Sequence, residues 1–135
     1  MSLLHHVGLL LLRVGAGGTM ALAHGLPKLQ NFSEKASSFP DLIGVGHEVS
    51  MALAIFGELV CGALIAAGLF TRLSAIPMGI TMAVAAFIAH GADPFQKKEL
   101  ALLYLLMSAV IFLLGPGRFS LDTFVPPPFR RLARV

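Results

Sequence analysis

Of the side chains able to bind or move protons in this largely apolar chain, seven stand out by position: Arg13, His24, Lys28, Glu58, His90, Glu99 and Tyr104. Arg13 and Glu58 lie inside long apolar runs, where an unpaired charge costs several kcal/mol even on permissive insertion scales. Each therefore needs a partner. Counted from a shared end of two antiparallel helices, Arg13 is about ten to twelve residues deep and Glu58 about nine, roughly 14 to 18 Å at the helical rise. The matching depths lead to the expectation that they pair. Such a pair is either a staple fixing helix register or the charged floor of a ligand cavity.

A second constellation follows from antiparallel topology, which carries His24, Lys28, His47, Glu48, His90, Asp93 and Glu99 to one end. Arg13 and His24 are eleven residues apart, three helical turns to within about 20°, so one helix face runs from rim to floor. With Glu58 and Glu99 turned inward, the expected cavity is polar, and Tyr104 lies one turn below Glu99. His, Arg, Tyr and a carboxylate together supply donors to two carbonyl oxygens and a proton acceptor, which is what a quinone headgroup requires. The expected assignment is His24, Glu58, His90 and Glu99 as catalytic groups, with Arg13, Lys28 and Tyr104 binding the ligand. His24, His90 and a carboxylate are a conceivable metal set, but no two ligands stand at a diagnostic spacing. His24 and His90 flank no evident slot for a haem. Neither metal nor haem is expected.

The elements that must position these residues are helices in a membrane. The chain of 135 residues is 56% hydrophobic and 13% charged, against about 25% charged in an ordinary soluble domain. Its mean hydropathy is +0.83, concentrated in four apolar blocks. The expectation is an all-α, integral membrane, antiparallel four-helix bundle in one domain over residues 1–135. Its spans are placed at about residues 3–26, 49–70, 73–90 and 99–114, and a basic tail covers 115–135. Pro27 should end the first span, because proline cannot continue the hydrogen-bond ladder, and Thr71-Arg72 should turn the second into the third. Ala21-Leu22-Ala23 has the look of a signal-peptidase site, yet no Lys or Arg precedes the apolar run and Arg13 interrupts it, so the segment reads as a permanent span. Gly17, Ala21 and Gly25, and Ala54 with Gly62, are spaced to let helices approach closely.

Cys61 is the single cysteine and lies within an apolar block, which excludes an intrachain disulfide and a dithiol motif. The net charge of +3 is scattered over loops and tail, a topological pattern that does not suit nucleic acid. Arg72, Arg118, Arg130, Arg131 and Arg134 fall on one side, against Lys28, Lys35, Lys97 and Lys98 on the other. The arginine side, with both termini, is expected in the cytoplasm.

Several runs together resemble the DoxX family: Leu12-Arg13-Val14-Gly15, His24-Gly25-Leu26-Pro27-Lys28, Gly57-Glu58 through Gly62, Gly68-Leu69-Phe70-Thr71-Arg72, His90, Glu99 through Tyr104, and Gly115-Pro116-Gly117-Arg118 through Asp122. The resemblance spans nearly the whole chain. It implies a four-helix protein of the bacterial cytoplasmic (inner) membrane, commonly a membrane oxidoreductase, with relatives serving as subunits of thiosulfate:quinone oxidoreductase. The expected function is a membrane oxidoreductase component that binds a quinone or another small redox molecule and works with a partner subunit or as a homo-oligomer. The alternative is a non-catalytic subunit or assembly factor of a larger complex. The family's polar positions land on Arg13, His24, Lys28, Glu58, Thr71, Arg72, His90, Glu99 and Asp122.

Overall fold

A computed structural model describes residues 1–134, and within them all regular structure is helical. Three helices, α1 (Leu3–Gln30), α2 (His47–Ala67) and α3 (Thr71–Ala89), are each long and apolar enough to cross a membrane. A fourth long helix, α4 (Phe95–Leu114), carries Lys97, Lys98 and Glu99 in its opening turns and packs mainly on α3, with further contact to α1. Side chains are distributed inside out relative to a water-soluble bundle. Leu11, Leu22, Ile80, Phe87, Leu106 and Leu113 point outward, whereas Arg13, Ser74 and Ser108 are buried. Water would disfavour both halves of that arrangement, and a hydrocarbon surround favours both.

Backbone contact brings α1 against α2. A Cβ on Gly17 would lie 2.5 Å from Gly62 O and 2.8 Å from Ala66 N, and one on Gly25 would overlap the backbone of Leu59. Only glycine allows this approach, in which dispersion supplies the association that the hydrophobic effect supplies in water. The small residues read from the sequence thus set the α1–α2 seam, with Ala21 buried among them. Met20, Cys61, Ile65, Ala75, Met78, Met82, Tyr104 and Ile111 fill the core between the long helices.

The boundaries differ from those expected in physically interpretable ways. Helix α1 does not stop at Pro27 but runs to Gln30, because residues Met20–Gly25 form a wide π turn. That turn shifts the carbonyl ladder where the proline has no N–H to offer and its ring needs room. The reversal after α2 occurs at Gly68–Phe70, two residues before the expected position. Gly68 takes φ +73° as the cap of α2, and Thr71 is already the first residue of α3. Helix α4 starts at Phe95, four residues early. Further π turns lie at Phe56–Val60 in α2 and Ala85–Ala89 in α3.

Two ends result. The connector end holds the exit of α1, residues 31–46, the start of α2, the end of α3 and the start of α4. There Phe32 and Phe39 cover Ala36, Met51 and Ile55, and Asp41 accepts hydrogen bonds from the N–H groups of Gly44, Val45 and Gly46 and from Ser50 Oγ, all at 2.9 to 3.0 Å. The tail end holds the start of α1, the α2–α3 turn and the residues after α4. Gly115 (φ +80°) and Gly117 (φ +76°) turn the chain back, and Val125 and Ala133 anchor it by burial.

Candidate functional site

Arg13 is fully buried, and Glu58 is not its partner. The guanidinium donates from Nη1 to Ile65 O (3.2 Å) and Ala66 O (3.3 Å), and from Nη2 to Phe119 O. The glycine seam explains the correction. With Gly17 level with Gly62 and Gly25 level with Leu59, Arg13 faces the end of α2 while Glu58 faces the end of α1. Counting depth from assumed span ends missed this, because α1 continues past Pro27. Arg13 instead caps the last carbonyls of α2, where the helix dipole favours a cation. Gly68 is required beside it, since a Cβ there would strike the guanidinium.

Asp122 completes the same junction from the tail. Its carboxylate accepts from Phe70 N (2.6 Å), Thr71 N (3.0 Å) and Thr71 Oγ1 (2.8 Å), while its own N–H donates to Gly68 O (2.8 Å). The start of α3 is thereby capped by a residue 51 positions beyond Thr71. Family resemblance pointed to Thr71 and Asp122; local spacing gave no sign that they meet.

At the opposite end, Glu58, Lys28, His24 and Tyr104 come together. Lys28 Nζ lies 2.7 Å from Glu58 Oε2, an ion pair by distance without the alignment of a hydrogen bond, and also donates to His24 O (3.5 Å). The His24 ring meets Tyr104 edge to face with centroids 5.7 Å apart. Glu58 is 5% exposed and lacks an aligned donor among the described residues. Two π turns position the group, Met20–Gly25 carrying His24 and Phe56–Val60 carrying Glu58, and they pack on each other. Such turns are a recurring device at functional sites, and no sequence signal revealed them except Pro27 beside the first.

The remaining rim residues share the connector end without converging on this group. His90 Nδ1 donates to Asp93 Oδ2 (2.8 Å), and that bond, with the charges of Lys97, Lys98 and His90, holds Asp93 below the ordinary carboxylate range. Glu99 is exposed and makes no ion pair among the described residues. His47 donates to Phe39 O (2.6 Å) and organises the connector. Among the described residues no three His, Cys, Asp or Glu side chains gather as a metal site. Two concavities, of about 300 Å³ between α3 and α4 (Ile76, Gly79, Ile80, Leu105, Phe112) and about 450 Å³ beside the start of α1 (Met1, Leu4, His5, Leu114), are predominantly apolar. Neither joins His24 to Arg13, and the buried charges expected to share one site belong to two separate polar clusters.

Comparison with known proteins agrees with a membrane setting. The family model described as DoxX matches residues 8–91. The uncharacterized membrane protein Rv3486 of Mycobacterium tuberculosis is similar, 29% identical over 134 aligned residues that cover 78% of this chain and 74% of that protein. No solved structure matches the chain.

Proposed function

Because the chain belongs to the DoxX family of membrane proteins, we propose that it is the membrane component of an oxidoreductase, with a quinone-type headgroup or similar small redox substrate held at the His24–Lys28–Glu58–Tyr104 cluster. The observation that carries the reading is Glu58: a carboxylate 5% exposed, paired with Lys28, beside an imidazole and a phenol. Lys28 can donate to a substrate carbonyl oxygen, and Glu58 can take the proton that a hydroxyl loses on oxidation. His24, held against Tyr104, is placed to donate or accept at the same end. Electrons come from a partner subunit or a second substrate, since Cys61 is the chain's single thiol. In this reading α4 is a fourth span whose charged first turn lies at the interface, and the arginine end faces the cytoplasm of a bacterial inner membrane.

The test is titration of the purified protein with a short-chain quinone, alongside analysis of co-extracted small molecules. Glu58→Gln and Lys28→Met are each expected to weaken binding at least about tenfold, the loss of one charge-assisted interaction. Undetectable binding, or binding indifferent to both changes, removes the quinone site. It would favour a non-catalytic subunit, a reading supported by the apolar character of both concavities.

A further inference from the structure

The fold sorts its charges by type. All six arginines, Arg13, Arg72, Arg118, Arg130, Arg131 and Arg134, are at the tail end with one carboxylate, Asp122, whereas the four lysines and the other six carboxylates are at the connector end. Asp122 is 8% exposed and occupied in capping α3, and Arg13 is buried, so the tail end presents cations with no acidic side chain exposed beside them. The outermost layer is the returning tail. Val125 and Ala133 are buried, Arg130 Nε donates to Val125 O (3.2 Å), and Arg72 Nη1 donates to Arg134 O (2.9 Å), which fixes the short helix Arg130–Arg134 to the bundle. Interleaved with Arg130, Arg131 and Arg134 are apolar side chains that find no cover: Phe124 is 81% exposed, Phe129 54% and Leu132 49%.

We propose that this tail surface binds anionic phospholipid, the arginines engaging headgroup phosphates and Phe124, Phe129 and Leu132 entering the headgroup–acyl boundary. Charge complementarity selects the occupant. A surface of arginines without exposed acids repels a second copy of itself, while aromatic and leucine side chains mixed with arginine suit the interface of a negatively charged leaflet. Its position agrees, because the tail begins directly after the outward-facing Leu113 and Leu114 of α4. The surface is at the opposite end from the His24–Glu58 cluster and stands or falls independently of the redox reading.

Cys61, buried and the single cysteine, makes the full chain its own unfolding reporter, since a thiol-reactive dye labels it on melting. The detergent-purified protein is titrated with phosphatidylglycerol or phosphatidylcholine of identical acyl chains. Phosphatidylglycerol is expected to raise the melting temperature at a lipid concentration at least about tenfold lower than phosphatidylcholine, and the difference to shrink as salt is raised. The triple change R130Q/R131Q/R134Q should remove the preference, whereas K97Q/K98Q at the other end should retain it. If the triple variant does not fold, the salt dependence of the unaltered protein decides alone. Equal response to both lipids, a preference that survives the triple change or high salt, or the same shift from inorganic phosphate would overturn the proposal. So would headgroup-indifferent melting with an oligomer that dissociates on the triple change, which would assign the surface to a second copy.

Discussion

Arg13 and Glu58 each lie against groups other than the partner that sequence depth selected, and their mutants should behave accordingly. Arg13→Met leaves the carbonyls of Ala66 and Phe119 without their side-chain donor, while Ile65 O keeps the Gly68 N–H, at about 1–3 kcal/mol for each group left unsatisfied. A marked fall in melting temperature is expected. Adding Glu58→Gln should not rescue it, because the two sites share no partner and their effects should add; rescue would restore the direct pair. Asp41 gives a pH signature. Backbone N–H groups from Gly44 to Gly46 hold its carboxyl below the usual carboxylate range. A carboxyl lowered in the folded state stabilises fully above its unfolded pKa of about 4, and the contribution disappears as pH falls through the lower folded value. Melting measured from pH 7 down through pH 4 and below should therefore decline more in the native chain than in Asp41→Asn, which starts lower.

At the scale of elements, the α1–α2 seam predicts a sharp contrast between glycines. Gly17→Ala places a methyl 2.5 Å from Gly62 O and must push two backbones apart, at a cost of about 1–3 kcal/mol, whereas Gly8→Ala and Gly15→Ala meet nothing within 4 Å. Thermal melts of the three variants check this directly, and equal stabilities would show that the seam is not as described. The helices and this seam were legible in the sequence, since apolar run length and small-residue spacing are local properties. Register was not. It depends on where α1 ends, and that rests on a π turn whose only trace is Pro27. Of the candidate site, the placing of His24 and Lys28 at one end could be read from topology, whereas Glu58 beside Lys28 could not, because depth counted from assumed span ends paired it with Arg13. The dispersal of His90 and Glu99 could not, because it depends on Asp93 and on the exposed first turns of α4.

For the whole molecule, segregation of arginine from lysine and acid gives the fold a direction as well as a shape. A fluorescent-protein fusion at the C-terminus should be bright and an alkaline phosphatase fusion there inactive, as expected if the arginine end is cytoplasmic; the reverse pattern would invert the assignment. In that orientation the His24–Glu58 cluster lies toward the far leaflet.

The clasp formed by Arg13, Gly68, Phe119 and Asp122 also orders events during synthesis. Arg13 precedes in the chain the α2 carbonyls that receive it, but Phe119 and Asp122 emerge only after α4. Until then the guanidinium lacks one acceptor and the first amides of α3 lack their cap, so a nascent chain released before residue 119 is left with an open junction.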